Sequence, residues 1–327
     1  MDFPRITVIT PSYNQASYLE KTILSVLDQH YPNLEYIIMD GGSTDSSIEI
    51  IQKYAQKITY WESIKDEGQS HAINKGLAMS TGEIVTWLNS DDCYTPNTLH
   101  QVAHYFKTND CDFLYGSTLL YGNKIKNKIQ SAPKDHVNLR TLAHIPFPQP
   151  STFFKKQIIS ETGPLDQSLH YGMDYDLVAR VALNFKMMGV DDLFSHYLVH
   201  DQSKTNHLMG FAMDWQQVFS NVVRTIKGLE KYIPDLKALN LYHNGTKQYP
   251  CKHQYTDYES KQILCYFLEM QLHYHYLACQ MEKVMPIAQY LLKHDDNPTR
   301  MKEIKSISTK AAYLPKFIIK LLRKFTQ

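Results

Sequence analysis

The first third of the chain alternates short apolar runs with amphipathic segments, and this rhythm restricts the fold more than any other feature of the sequence. Ile6-Thr7-Val8-Ile9-Thr10 reads as a buried strand ended by Pro11. Ser17 and Glu20 have the spacing of a capping box, and Leu19, Ile23, Val26 and Leu27 fall on one face of the helix that follows. Tyr36-Ile37-Ile38-Met39 is a second strand leading into Asp40-Gly41-Gly42, and Ile48, Ile51 and Ala55 suit a second helix. A third strand is expected near Ile58 to Trp61, a helix from His71 to Met79, and a fourth strand at Ile84-Val85-Thr86-Trp87-Leu88. Thr95 and Pro96 have the character of N-cap and first residue of a helix carrying Leu99, Val102, Ala103 and Phe106. Such alternation predicts an α/β fold, a mostly parallel, Rossmann-like sheet with helices on both faces.

Near Tyr115 the rhythm changes. Gly122-Asn123 looks like a hairpin tip, followed by a polar stretch to about Lys134. Ser151-Thr152-Phe153-Phe154 is a short strand, and Asp174 to Asn184 reads as a helix with Leu177, Val178, Val181 and Phe185 turned inward. Beyond about His207 the pattern is mostly helical and rich in Tyr, His and Met. From Met301 on, Lys302, Lys305, Lys310, Lys316, Lys320, Arg323 and Lys324 face one acid, Glu303, while Phe317, Ile318, Leu321, Leu322 and Phe325 supply an apolar face. That pattern predicts a basic amphipathic helix, suited to an anionic membrane surface or to packing on the domain as a solvated C-terminal helix. Residues 1–206, 207–300 and 301–327 are the expected divisions.

A net charge of +1 argues against a general polyanion binder, so no nucleic-acid partner is expected. The five cysteines, Cys93, Cys111, Cys251, Cys265 and Cys279, form no CxxC pair, which points to a reducing compartment rather than a disulfide framework. Residues Met1 to Thr10 lack the layout of a signal peptide, and no apolar run approaches the ~20 residues of a membrane span. The expected location is cytoplasmic, peripheral at the inner face of the cell membrane.

Ligands of parallel α/β sheets bind beyond the carboxyl ends of the strands. Acids stand there after three successive strands: Asp40, Asp66 and the pair Asp91-Asp92. Any one strand-end acid can be a turn former. Adjacent carboxylates, however, repel unless a cation or hydrogen bonds intervene. A hard divalent cation takes one or two carboxylates and completes its shell with phosphate oxygens and water. Such a site suits a nucleoside diphosphate leaving group.

Four segments in order carry a resemblance: Thr10-Pro11-Ser12-Tyr13-Asn14, then Asp40-Gly41-Gly42-Ser43-Thr44-Asp45, then Asp66-Glu67-Gly68-Gln69-Ser70-His71-Ala72-Ile73-Asn74-Lys75-Gly76, then Leu88-Asn89-Ser90-Asp91-Asp92. Together they closely resemble the family 2 glycosyltransferases over roughly the first 205 residues. The resemblance implies the GT-A fold and inverting transfer from a nucleotide-sugar donor, a UDP-sugar by preference. It also implies a glycan or lipid-linked acceptor in surface-polysaccharide synthesis, and Mg²⁺ or Mn²⁺ as cofactor. By position, Pro11, Ser12 and Tyr13 line the nucleotide pocket, Asp40 meets the base or ribose, and Asp66 the base. Asp91 and Asp92 match the metal motif, with Asp92 the direct ligand. Lys75 is either a phosphate contact or a solvated helix lysine. His200 is either a loop residue or part of the metal and diphosphate shell, and Lys204 is a similar phosphate candidate. The general base falls at Gly172-Met173-Asp174-Tyr175-Asp176, where Met173 departs from the acid found in many relatives. Asp176 stands four residues before Arg180 and is expected to pair with it, leaving Asp174 as the base and Asp176 as runner-up.

Two other classes fit parts of the pattern. A nucleotidyltransferase also uses strand-end acids and a metal, but carries a basic Gly-rich loop after its first strand, and Pro11 to Ala16 has neither Gly nor Lys. A non-catalytic nucleotide- or glycan-binding protein needs no candidate base.

Overall fold

The computed structural model describes residues 3–123, 125–133, 137–201, 203–204, 207–243 and 245–313. Contacts divide the chain into two units that interleave in sequence. The first comprises residues 1–137, 146–177 and 185–200, and the second residues 138–145, 178–184 and 201–327.

The first unit is organised by β1 (Ile6–Ser12), whose seven residues are all buried. On one side β1 pairs in parallel with β2 (Leu34–Asp40), and β2 with β3 (Tyr60–Ser63). On its other side it pairs in parallel with β4 (Ile84–Trp87). Between these strands run α1 (Ala16–Leu27), α2 (Ser47–Tyr54) and α3 (Gln69–Met79). Pro11 does not end β1. It pairs with Met39, and Ser12 with Asp40, whereas pairing to β4 stops at Ile9 and Trp87. Beyond Ile9 one edge of β1 has no ladder partner, and a residue without an N–H is tolerated there. Gly76 lets α3 lie close on β1, since a Cβ at that position would stand 2.6 Å from Ile9 Cγ2.

The remainder of the sheet is mixed. After β5 (Cys93–Tyr94) and α4 (Thr98–Thr108) come β6 (Phe113–Tyr121), β7 (Lys128–Gln130), α5 (Val137–Thr141), β8 (Thr152–Lys155), α6 (Gln157–Thr162), α7 (Met173–Ala182) and β9 (Met187–Leu198). The strand order is β3-β2-β1-β4-β8-β6-β9-β5, with β7 beside β6. The hairpin expected at Gly122 is formed, with Leu120 opposite Lys128.

Two helix starts differ from expectation. Helix α1 begins at Ala16 behind Gln15, without a Ser17–Glu20 capping box. Glu20 instead accepts from Lys53 Nζ (2.6 Å) and Tyr54 Oη (2.8 Å) of α2. Helix α4 starts behind Asn97, in the left-handed region at φ 64°. Thr95 makes no cap bond; its hydroxyl donates instead to Leu193 O of β9 at 2.5 Å.

The second unit is helical, with α8 (Leu208–Thr225), α9 (Ile233–Ala238), α10 (Asp257–Leu277), α11 (Met281–His294) and α12 (Pro298–Tyr313). Phe219 of α8 stacks on Phe267 of α10 with ring centroids 3.8 Å apart. Buried Arg300 of α12 donates to Asp295 and to Gln262 Oε1 (2.8 Å) and lies 4.6 Å from the Tyr266 ring centroid. His275 is buried against Gln280, in keeping with a packing role. The basic segment expected to form an amphipathic tail lies outside the described residues from 314 on. No helix among the described residues is long and apolar enough to cross a membrane.

At the amino ends of the strands, Glu35 is a buried carboxylate. It accepts from Thr7 Oγ1 (2.5 Å), Thr81 N (2.6 Å) and Thr81 Oγ1 (2.7 Å), and pairs with Arg5 at 3.1 Å. Burial pushes its pKa up, but the Thr7 and Thr81 hydrogen bonds and the Arg5 charge outweigh it, so the net shift is downward. A carboxyl depressed in the folded state contributes stability above its unfolded pKa of roughly 4.3, lost as pH falls through the folded value. Glu35→Gln is therefore expected to lower stability at pH 7 and to flatten the loss below about pH 4. Urea titrations from pH 3 to 7 check this, and parallel acid limbs in both proteins would contradict it.

Candidate active site

The loops after β1 and β2 are fastened to each other before they can hold anything else. Asn14 takes the left-handed conformation at φ 52°, which asparagine tolerates. Its Oδ1 accepts from Thr44 N at 2.8 Å, and its own N–H reaches Ser43 Oγ at 2.8 Å. The Asp45 carboxylate accepts from Ala16 N and Ser47 N, both at 3.0 Å, so one side chain satisfies amides at the starts of α1 and α2. Gln15 N finds Ser47 Oγ at 3.1 Å.

Asp40 serves the same loop. Its Oδ1 accepts from Gly42 N (3.1 Å), Ser43 N (2.8 Å) and Ser63 Oγ (2.6 Å), and its Oδ2 from Ser43 Oγ (2.6 Å). With only 2% of its surface exposed, Asp40 shapes the loop after β2 from within. Asp66 lies directly over that loop. A Cβ on Gly41 would stand 2.8 Å from Asp66 Oδ2, so only glycine lets this carboxylate approach. Asp66 Oδ1 also accepts from Gly68 N at 2.8 Å. At the end of β1, Tyr13 is 59% exposed. The Ser12 hydroxyl beside it is buried without a hydrogen-bond partner. Pro11 is buried in β1 itself.

The two acids after β4 have different surroundings. Asp91 is partly exposed, and its Oδ2 lies 2.9 Å from His200 Nε2, whose ring packs on Tyr18 with centroids 4.7 Å apart. Asp92 is fully buried. It has two long hydrogen bonds, from Leu198 N to Oδ1 (3.4 Å) and from Asn89 Nδ2 to Oδ2 (3.3 Å). Burial, reinforced by the Asp91 charge, pushes its carboxyl well above the usual range. Among the described residues no three His, Cys, Asp or Glu side chains close around a metal position. A hard cation bound with a diphosphate needs only one or two carboxylates. A buried, weakly bonded acid beside a second acid is an excess of negative charge that such a cation would relieve. The two carboxylates are of the kind that Mg²⁺ or Mn²⁺ accepts, and the Asp91–His200 contact lies alongside Asp92.

The start of α3 ties these parts together. Gln69 Nε2 donates to Asn89 Oδ1 at 2.7 Å, and Ser70 Oγ to Met173 Sδ at 2.6 Å. Asn74 holds Leu165 through two amide bonds of 2.9 Å. One helix thus anchors the acidic turn and the start of α7. Asp174, in the first turn of α7, is partly exposed and accepts from Tyr175 N at 2.8 Å, whereas Asp176 is 1% exposed. Asp174 is the accessible acid of the two. The Lys75 ammonium is paired with Glu62 of β3. Lys204 is on the surface of the second unit.

Gln69, Asn89 and Gln149 were not singled out from the sequence as site residues. Gln69 and Asn89 lie in motif segments, but neutral amides show no charge pattern to pick them out. The strand β9, which brings Leu198 to Asp92 and leads to His200, was also not foreseen.

This arrangement, with half the sheet parallel and an acidic turn at its carboxyl edge, defines a GT-A-like nucleotide-sugar fold. Residues 7–163 match the family model for glycosyl transferase family 2. An uncharacterized glycosyltransferase of Rickettsia typhi is 30% identical over 243 residues, covering 68% of this chain and 73% of the relative. The poly(ribitol-phosphate) β-N-acetylglucosaminyltransferase TarP of Staphylococcus aureus is 26% identical over 267 residues, 77% of this chain and 78% of that one. The chain belongs to glycosyltransferase family 2. Its fold is shared with S. aureus TarS in complex with UDP-GlcNAc, at TM-score 0.60 and 16% identity over 98% of this chain and 92% of that one. It is also shared with a Pyrobaculum calidifontis mannosyltransferase in complex with GDP-Man and Mn²⁺, at TM-score 0.57 and 19% identity, covering 97% and 83%.

Asp45 gives a direct test of how this end of the sheet is held. Asp45→Ala removes the acceptor for amides at two helix starts and is expected to cost about 1–2 kcal/mol per cap at most. The expected outcome is a lower urea midpoint with an unchanged slope; an unchanged midpoint would mean that water replaces the carboxylate without loss.

Proposed function

We propose that this family 2 glycosyltransferase moves a sugar, with inversion, from a UDP-sugar to a hydroxyl of a cell-surface glycan or other polymer, lipid-linked or free. The observation that carries the reading is the fully buried, weakly bonded Asp92 beside Asp91 at the carboxyl end of β4. TarS with UDP-GlcNAc supports the donor class, TarP the polymer class of acceptor, and the Mn²⁺ complex of the mannosyltransferase the cofactor.

In this reading Tyr13 offers its exposed ring to the nucleotide, and the unpartnered Ser12 hydroxyl and Asp66 supply polar contacts. Asp40 acts indirectly, by fixing the loop on which Asp66 rests. Asp91 and Asp92, with His200, would hold Mg²⁺ or Mn²⁺, which would supply positive charge to the diphosphate leaving group. Asp174 takes the proton from the acceptor hydroxyl as that oxygen bonds to the anomeric carbon, and UDP leaves with the electron pair of the broken bond. A single carboxylate is enough, because the diphosphate does not need the protonation that a glycosidase must give its leaving group. The first turn of α7 favours the ionised form of Asp174 through the helix dipole.

Two outcomes test these roles. Asp174→Asn is expected to lower kcat by about 10²–10⁴ while UDP affinity changes little. Single-turnover transfer beside Asp176→Asn checks it, and a near wild-type rate for Asp174→Asn with an inert Asp176→Asn would reverse the assignment. Asp92→Asn should abolish the strengthening of UDP binding by Mn²⁺ in calorimetry. An enhancement that survives the substitution would remove Asp92 from the metal site.

A further inference from the structure

Three neutral amides from three separate segments converge beside Asp92, and each fixes the direction of the next. Gln149 Nε2 donates to Trp87 O at 3.0 Å, which turns Gln149 Oε1 toward Asn89. Gln69 Nε2 donates to Asn89 Oδ1 at 2.7 Å. Asn89 is then left with its amino group facing two acceptors, Gln149 Oε1 at 3.4 Å and Asp92 Oδ2 at 3.3 Å. An asparagine amide can lie either way round, and the wrong way would set Asn89 Oδ1 against the Asp92 carboxylate. The shortest bond of the set is the one from Gln69. It is also the bond that supplies a donor where only Asn89 Oδ1 can accept.

The geometry points to Gln69 as the positioning residue of the metal site: through Asn89 it sets the orientation of the Asp92 carboxylate, and with it the affinity for the divalent cation. The inference rests on the proposed role of Asp92 as ligand. Groups that orient a metal ligand typically change metal affinity 10–100-fold when altered. Gln69 does not touch the cation in this scheme; it acts through another residue.

The substitutions Gln69→Ala and Gln69→Glu separate this role from simple packing or charge. Alanine removes the one short bond, so the amide is held only by its long bonds to Asp92 Oδ2 (3.3 Å) and Gln149 Oε1 (3.4 Å) and its direction loosens. Glutamate has the same shape but presents an oxygen to Asn89 Oδ1. The repulsion turns the amide round or forces it off Asp92. By charge alone an added carboxylate near the site would tighten a cation. The two explanations thus predict opposite signs.

The measurement is Mn²⁺ affinity by calorimetry in the presence of UDP at pH 7.5, with thermal midpoints recorded for each protein and Mn²⁺-free UDP affinity as a control. Gln69→Glu is expected to bind Mn²⁺ at least about 10-fold more weakly than wild type, with Gln69→Ala in between and Mn²⁺-free UDP affinity unchanged. If Gln69→Glu binds Mn²⁺ as tightly as Gln69→Ala, or more tightly, the positioning role is overturned and the metal assignment stands. If wild type itself shows no Mn²⁺ effect on UDP binding, the metal assignment falls first and the inference with it. A fall in Mn²⁺ affinity matched by an equal fall in Mn²⁺-free UDP affinity would show a general disturbance of the pocket and also overturn it.

Discussion

Strand β1 is buried along its whole length and, as far as Ile9, hydrogen-bonded on both edges, and the rest of the first unit is arranged by that constraint. A strand enclosed in this way can only end where the sheet ends, so the loops after β1, β2 and β4 emerge side by side. The amides of those loops have no ladder partners and must be satisfied by side chains. Asn14, Asp40 and Asp45 do this work. The consequence is a rim held by side chains, with Tyr13 exposed on it and the unpartnered Ser12 hydroxyl buried beneath it.

The acids at that rim look alike in sequence and differ in surroundings. Asp40 accepts four hydrogen bonds and is a structural element of its loop. Asp66 makes a close approach that depends on Gly41. Asp91 meets His200, while Asp92 is enclosed with two long bonds. The number and length of hydrogen bonds, rather than charge, separate the acid that shapes the fold from the acid that lacks compensation. Burial of a carboxylate is costly unless it is paired, and Asp92 is the one in this group whose pairing is weakest.

The parallel half of the fold was legible because its strands are continuous apolar runs bounded by turn residues, as strands buried on both faces must be. The four motifs were legible for a related reason, each lying at or just after the carboxyl end of a strand. What failed was local. The Ser17–Glu20 capping box lost to Asp45 and Ser47, which reach the start of α1 from another loop. Thr95 lost its capping role to a bond with β9. Strand β9 escaped notice because Gly189 and the pair Asp191-Asp192 break its apolar alternation. In the structure Gly189 makes room for the Tyr115 ring, and Asp192 accepts from Tyr105 Oη at 2.5 Å. Each of these depends on a residue distant in sequence, which no local pattern encodes.

Why amides, and not a lysine, surround Asp92 follows from the charge such a site must keep. A lysine within reach would pair with the buried carboxylate and satisfy it, which removes the excess charge that attracts a cation. Bare apolar neighbours would do the opposite and drive the carboxyl to take up a proton. Amides lie between these limits. They donate a directed hydrogen bond to one carboxylate oxygen without cancelling the charge, and they can be fixed in turn by further amides. Asn89 does this for Asp92, with its own direction imposed by Gln69 and Gln149. The same first turn of α3 holds the start of α7 through Ser70 and Met173. One helix start therefore holds both the turn that carries Asp92 and the segment that carries Asp174, and a displacement of about 1 Å in a group proposed to be catalytic would be felt as about 10²-fold in rate.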